Sequence, residues 1–125
     1  MTAIEAPAYH MHTLREPYFS QLVEGTKTVE ARLRRGLWLT VKVGDTIEFT
    51  SVSAGTKGFN KRYYLVRGVE EADTFVELWH RHGAKLLPDA KTEADVEHVY
   101  REDCKFSKAD EKSNGVIGIT LSLLA

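Results

Sequence analysis

The stretch Gly25–Arg32 holds residues whose types and spacing are suited to chemistry, at a corner where a predicted helix ends and a predicted strand begins. If the strand begins at Thr28, side chains two residues apart lie on one face. Thr28, Glu30 and Arg32 then form a polar row, with Lys27 at the corner beside it. The opposite face of the strand is apolar and is expected to pack on a core.

Lys27, Glu30 and Arg32 offer three complementary functions to a ligand. A guanidinium such as that of Arg32 binds a phosphate or keeps a neighbouring carboxylate ionised. The carboxylate of Glu30 can accept hydrogen bonds from the exocyclic amine or the N–H of a nucleobase. The ammonium of Lys27 can stabilise a developing negative charge. The same spacing also occurs in ordinary surface ion pairs, so spacing alone leaves both interpretations open.

Aromatic and basic side chains elsewhere in the chain can add to a nucleic-acid site. The loop 54–60 and the two residues after it combine one aromatic ring with three cations, namely Lys57, Phe59, Lys61 and Arg62. A ring between cations can stack on an unpaired base, whereas the alternative for Phe59 is a hydrophobic plug under the loop. Trp38 is a second stacking candidate, and its alternative is a tryptophan in a barrel core.

The sequence contains no pattern typical of a bound metal or cofactor, and none is expected. It has no Walker A sequence, no dinucleotide-binding glycine motif and no His-Glu-x-x-His. His10 and His12 share a strand face, but nothing nearby supplies the remaining ligands of a metal site. Cys104, the one cysteine, is predicted to be a buried structural thiol, because no flanking base or helix N-terminus is evident to activate it.

Composition and charge narrow the class of protein. The 125 residues are 42% hydrophobic and 28% charged, with a net charge of −1. These values exclude a disordered polar tail and predict a single domain over residues 1–125. Nine basic and three acidic residues lie between Thr26 and Arg67, which indicates either one cationic face or charges scattered over a solvated surface.

The N-terminal residues, the apolar runs and the cysteine content indicate the cellular compartment in which the chain is expected. Residues 1–8 are expected to form a flexible N-terminal segment without the features of a secretory signal. No apolar run is long enough to predict a membrane-spanning helix. A single cysteine favours a reducing, intracellular setting, most simply the cytoplasm. The oligomeric state is left open.

Periodicity and turn residues predict the element order β-α-β-β-β-α-α-β. The strands are predicted at 9–14, 28–33, 46–52, 62–69 and 115–124. The first helix is predicted at 16–24, and two more begin after Thr74 and Thr92, each of which starts a capping-box pattern. The polar stretch 105–114 is predicted to be a loop. A small curled sheet with helices at its edges follows, which is an α+β fold.

The pattern Gly25-x-Lys27-x-x-Glu30-x-Arg32 resembles the signature of the ASCH domain family, in the PUA-like superfamily. Other stretches resemble the family in place and type: Pro17-Tyr18 at its helix start, Trp38 followed by Val43–Phe49 at its second signature strand, and Val116–Ile119 at its closing strand. The resemblance covers about residues 9–124 and is weakest between residues 72 and 114.

The resemblance implies a small PUA-like mixed β-barrel with flanking short helices and a cleft lined by Lys27, Glu30 and Arg32. Members of the family are thought to bind RNA or to act in RNA metabolism. The expected partner is therefore RNA, a nucleoside or a nucleotide, with Lys27 and Arg32 on phosphate and Glu30 on a base edge.

One branch of the family hydrolyses N4-acetylcytidine, which implies a small amidohydrolase of modified nucleosides as the alternative function. That branch uses a lysine at the position of Lys27 and a threonine three residues later, where this chain has Glu30; Thr28 is the nearest hydroxyl. Glu30 would instead act as general base, which requires a raised pKa, and Lys27 would stabilise the oxyanion. A close Arg32 lowers the pKa of a carboxylate and opposes that role.

Overall fold

A computed structural model describes residues 6–52 and 60–124 of the chain. Its strands are β1 (Tyr9–Arg15), β2 (Val29–Leu33), β3 (Thr46–Val52), β4 (Lys61–Ala72) and β5 (Val116–Leu123). Its α-helices are α1 (Tyr18–Glu24), α2 (Phe75–His82), α3 (Glu93–His98) and α4 (Lys108–Asn114). Most of the predicted flexible segment 1–8, and the loop residues Lys57 and Phe59, lie outside the described residues.

The strands form one sheet in the order β1-β3-β4-β5-β2. β1 runs parallel to β3, and the other neighbouring strands are antiparallel. The sheet curls into a half-barrel, so that Arg32 on the outer strand β2 reaches the backbone of Thr13 on the outer strand β1. The predicted α+β class with a small curled sheet and flanking helices is confirmed.

Alternating side chains of the strands build the core. Ile47 and Phe49 on β3 and Tyr64 on β4 are buried, as the period of two along a half-buried strand requires. α2 packs against β5 at Gly118, where a Cβ atom would lie only 3.0 Å from Cδ2 of Leu78. The absence of a side chain at this glycine therefore lets the helix approach the sheet closely.

Local capping signals place the helix ends. α1 ends at Gly25, whose φ of 84° lies in the left-handed region that glycine adopts without strain. Thr92 and Asp95 form the predicted capping box at the start of α3. Thr74 caps α2 by accepting from the Glu77 amide, but the Glu77 carboxylate accepts from the amide of Asp73 rather than from that of Thr74.

One stretch differs from the predictions, and two further helical turns lie where none was predicted. The predicted loop 105–114 contains α4, because the Ser107 hydroxyl accepts from the Asp110 amide and caps a helix start that the polar composition concealed. The apolar stretch after Arg35 forms a 3₁₀ turn at Gly36–Thr40. α3 runs directly into a π-helical turn at Val99–Asp103, which nothing in the sequence predicted.

The described residues contain neither a helix that could span a membrane nor a group of side chains suited to hold a metal ion. No helix within residues 6–52 and 60–124 combines the length and apolar composition that crossing a bilayer requires. Within the same ranges, no three or more His, Cys, Asp or Glu side chains are grouped to hold a metal ion. His10 Nε2 instead lies 2.9 Å from Asp45 Oδ2, and the His12 ring stacks on Trp38 at a centroid distance of 3.9 Å.

Candidate ligand-binding site

Lys27 is buried at the corner between α1 and β2, with 1% of its surface exposed. Its Nζ donates to the backbone carbonyls of Val29 and Leu86, each at 2.6 Å, and lies 3.3 Å from Oε1 of Glu30. An ammonium has three N–H donors, and these three partners account for all of them. Burial lowers the pKa of Lys27, and the neighbouring Glu30 carboxylate partly opposes this shift.

Glu30 is buried between two cations, with 6% of its surface exposed. Its Oε1 faces Lys27, and its Oε2 accepts from Arg32 Nε at 2.9 Å. Burial raises the pKa of Glu30, but the charges and hydrogen bonds of Lys27 and Arg32 outweigh it and hold the pKa below its usual value. The carboxylate is therefore held ionised and in a fixed orientation.

Arg32 is the third charged residue of the cluster with Lys27 and Glu30, and it joins that cluster to the opposite edge of the sheet. Its Nη2 donates to the carbonyl of Thr13 at 3.0 Å. Its guanidinium carbon lies 4.9 Å from the centroid of the Trp38 ring and 6.0 Å from that of Phe49. A planar guanidinium can stack on a ring and donate in its own plane at once. The three predicted ionic residues therefore converge.

A cavity of about 300 Å³ opens beside these side chains. Lys27, Glu30 and Arg32 line one wall of it, and Thr13 to Arg15 of β1 line the adjacent wall. The third wall comes from the segment that begins in the π-helical turn, and it includes Tyr100, Asp103, Cys104, Lys105 and Phe106. The cavity thus lies at the open side of the half-barrel, between the outer strands and this segment.

Tyr18 and Arg15 hold the third wall of the cavity in place through contacts with Asp103. The Tyr18 hydroxyl donates to Asp103 Oδ2 at 3.3 Å, and Arg15 Nη1 donates to the Asp103 carbonyl.

Burial and the nearby charge of Glu30 raise the pKa of the Cys104 thiol to about 11. Cys104 is therefore a protonated thiol, but it is partly rather than fully buried, and its structural role stays a prediction.

The other predicted site residues are less close to this cavity. Thr28 adjoins Lys27 but is absent from the cavity wall, and so is Trp38, which contacts the site through Arg32. Lys61 and Arg62 begin β4, where they pair with Thr50 and Phe49 of β3, one strand away from β1. Lys57 and Phe59 are outside the described residues, so their predicted stacking and phosphate contacts stay predictions.

Within its described part, the basic stretch between residues 26 and 67 has much of its positive charge in ion pairs. Five of its cations lie in ion pairs with carboxylates, in the order Lys27–Glu30, Arg32–Glu30, Arg34–Glu71, Arg35–Asp110 and Lys42–Asp45. Two of those carboxylates, Glu71 and Asp110, come from outside the stretch, so the charge excess seen along the sequence is partly neutralised in space.

The third wall of the cavity was not predicted from the sequence. Tyr100 is buried, with 3% of its surface exposed. No signal near Tyr100 or Cys104 indicated that they border the same cavity as Glu30, because that proximity arises from contacts of the π-helical turn with distant residues, such as those of Arg15 and Tyr18 with Asp103. The one available hint was an aromatic residue close to a lone cysteine.

Together, the fold and the cavity define a small α+β domain whose half-barrel sheet holds buried Lys27 and Glu30 beside a partly buried Arg32. The sequence matches the profile of the ASCH domain over residues 13–115. The chain therefore belongs to the ASCH domain family. A comparison with curated proteins found no significant match.

Several solved structures share the fold of this chain. The crystal structure of the hypothetical protein PH0355 is similar at a TM-score of 0.79 and 26% identity, over 93% of this chain and 99% of that one. The solution structure of protein PF0455 from Pyrococcus furiosus has a TM-score of 0.71 and 25% identity, over 93% and 97% of the two chains. An ASCH protein from Zymomonas mobilis shares the fold at a TM-score of 0.61 and 17% identity, over 90% of this chain and 65% of that one.

Proposed function

We propose that this ASCH domain binds an unpaired nucleotide, free or within single-stranded RNA, in the cavity beside Glu30. The observation that carries the proposal is the ionised Glu30 carboxylate, fixed between Lys27 and Arg32 on the wall of a cavity of about 300 Å³. A buried carboxylate that two cations hold ionised is a pure hydrogen-bond acceptor. It suits a ligand that presents N–H groups.

The cavity size supports one nucleotide rather than a longer segment. Pockets for small molecules begin at about 300 Å³, so a base with its sugar fills the space. The aromatic side chains Tyr18, Tyr100 and Phe106 give the wall an apolar part. A flat heterocycle can pack on such side chains while its polar edge meets Glu30.

We assign phosphate recognition to residues at the rim of the cavity rather than to Lys27 in its interior. Arg15 and Lys105 line the cavity and are exposed, so their charges are accessible to a phosphate. Lys27 was expected to contact phosphate, and that contact stays a prediction, but its three N–H groups already have partners. We therefore assign Lys27 the role of positioning Glu30.

The same geometry weighs against Glu30 as the general base of an amidohydrolase. That role requires a raised pKa, and Lys27 and Arg32 lower the pKa of Glu30 despite its burial. Glu30 is therefore better suited to accept hydrogen bonds from a ligand than to take up a proton from water.

Fluorescence anisotropy of a labelled single-stranded oligoribonucleotide tests the proposal. Glu30→Gln keeps the shape of the side chain but removes its charge, and it is expected to lower affinity by about tenfold. Glu71→Gln is the matched control, because Glu71 is an exposed ion-pair partner away from the cavity. Equal affinity of wild type and Glu30→Gln, with both folded by circular dichroism, would overturn the proposal.

Salt dependence and sugar preference complete the test. Each cation that contacts a phosphate of a single strand contributes about 0.7 to the slope of log affinity against log salt. Arg15→Gln is therefore expected to reduce that slope, whereas Arg34→Gln is expected to leave it unchanged, because Arg34 pairs with Glu71 and is absent from the cavity wall. An oligodeoxyribonucleotide of the same sequence shows whether the 2′-hydroxyl contributes.

A further inference from the structure

Tyr100 carries a buried hydroxyl with an unusual environment. The residue is 3% exposed and lines the cavity. Its Oη has no hydrogen-bond partner among residues 6–52 and 60–124. A buried hydroxyl that stays unpaired costs free energy, so each such group calls for an explanation.

The ring of Tyr100 is held in one position. It stacks on Phe75 with a centroid distance of 3.9 Å and an interplanar angle of 9°, and Phe75 also stacks with Phe106 at 5.5 Å. Phe75 itself is fully buried at the start of α2. The hydroxyl therefore cannot easily turn away to find another partner, which is the rigidity that a pre-organised binding group needs.

The backbone around Tyr100 is irregular where it meets the cavity. Tyr100 and Asp103 belong to the π-helical turn Val99–Asp103, a geometry that is rare and is often found at functional sites. Lys105 follows with a φ of 62°, which is uncommon for a residue other than glycine. Both irregular positions border the cavity. A regular helix through this segment would place these side chains differently.

The surroundings of the hydroxyl indicate that it acts as a donor. Burial raises the pKa of Tyr100, and the neighbouring charge of Glu30 and the side chains of Cys104 and Tyr18 add to this shift. All three neighbours line the same cavity as Tyr100. It remains protonated, and next to the Glu30 acceptor it supplies the complementary donor.

We propose that Tyr100 Oη donates a hydrogen bond to the ligand beside the bond that Glu30 accepts, so that the two side chains together bind one edge of a nucleobase. The matching edge has an N–H group next to a ring nitrogen or carbonyl oxygen, an arrangement that a sugar phosphate lacks. This inference rests on the proposed function and adds to it a binding residue and the part of the ligand that is recognised.

The test is a pair of identical substitutions at two buried tyrosines. Tyr64 is 1% exposed, and its hydroxyl also has no partner among the described residues, but it is absent from the cavity wall. Tyr100→Phe and Tyr64→Phe each remove one unpaired hydroxyl, so both are expected to unfold at the same temperature as wild type or slightly above it. Only Tyr100→Phe is expected to weaken ligand binding, by about fivefold.

The probes are CMP, UMP, AMP and GMP, with ribose 5-phosphate as the probe that lacks a base, each titrated calorimetrically. The inference predicts that at least one nucleotide binds more tightly than ribose 5-phosphate and that Tyr100→Phe removes part of that difference. If Tyr100→Phe binds the nucleotide like wild type, the role of Tyr100 is overturned while nucleotide binding in the cavity stands. If ribose 5-phosphate binds as tightly as the nucleotides, recognition of the base by both Tyr100 and Glu30 is overturned. If wild type binds none of these nucleotides and no RNA, the proposed function fails and this inference fails with it.

Discussion

Arg32 Nη2 lies 3.0 Å from the carbonyl oxygen of Thr13, and this hydrogen bond links the two outer strands of the sheet. β1 and β2 are separated by three strands in the sheet order, yet the curl of the sheet brings them within reach of one side chain. The same guanidinium holds Glu30 through Nε. Closure of the half-barrel and orientation of the candidate ligand-binding carboxylate therefore depend on one residue.

Arg32→Lys is expected to lower the free energy of unfolding by about 2 kcal/mol. A lysine keeps the charge, but its single ammonium cannot reproduce the contacts with Glu30, Thr13 and the Trp38 ring at once. Urea denaturation measures the change. Arg34→Lys, at an exposed ion pair with Glu71, is expected to change stability by less than about 0.5 kcal/mol; equal losses in the two variants would show that Arg32 does not join the strands.

Lys27→Met is expected to destabilise the fold by about 3 kcal/mol, because it leaves a buried carboxylate with one cation fewer and two carbonyls without a donor. Denaturant unfolding of Lys27→Met, Glu30→Gln and the double variant gives the coupling between the two residues. The double variant is expected to lose less than the two single losses added together. Strict additivity would contradict a direct interaction between the buried amine and the carboxylate.

Stability is expected to fall between pH 6.5 and about pH 4 because of His12. Burial, followed by the charge of Arg32, lowers the pKa of His12 from 6.5 to about 4. In this window the unfolded chain binds a proton that the folded protein does not, so acidification favours unfolding. Thermal unfolding across this range measures the effect.

His12→Phe keeps an aromatic ring against Trp38 and removes the titrating group, so its melting temperature is expected to change less with pH in this window. His98→Gln is the control, because the His98 side chain is exposed. A pH profile of His12→Phe that follows wild type would rule out His12 as the cause.

Cys104 is expected to react slowly with an aromatic disulfide reagent. Burial raises the pKa of its thiol from 9.0 to about 11, and the thiolate is the reactive form, so the rate near neutral pH is expected to be about 100-fold below that of the unfolded chain. The measurement compares native and urea-unfolded protein. A nucleotide that occupies the cavity should slow the reaction further, and equal rates in the native and unfolded protein would contradict burial of the thiol.

Much of the local structure was predictable from residues a few positions apart. The alternation of Val29, Ala31 and Leu33 with Glu30 and Arg32 identified β2 and its apolar face to within one residue. Gly25 ended α1, and Thr92 with Asp95 began α3, as their sequence patterns indicated. Each of these features depends on contacts within one or two turns of backbone, which a sequence records directly.

The burial of the polar face of β2 could not be predicted from these local patterns. The sequence placed Glu30 and Arg32 on the face opposite the core, and a single strand would leave that face in water. In the folded protein Glu30 and Lys27 are both buried, because the curled sheet and the segment after α3 cover this face as well.

The sequence by itself determined the strands, most of the helices and the grouping of a lysine, a glutamate and an arginine where α1 ends and β2 begins. Only the tertiary structure decided that Lys27 donates to Leu86, a residue 59 positions away, and that Tyr100 and Cys104 border the same cavity as Glu30. The physical reason is range: caps and side-chain periodicity act over a few residues, whereas burial and cavity walls depend on how distant segments pack.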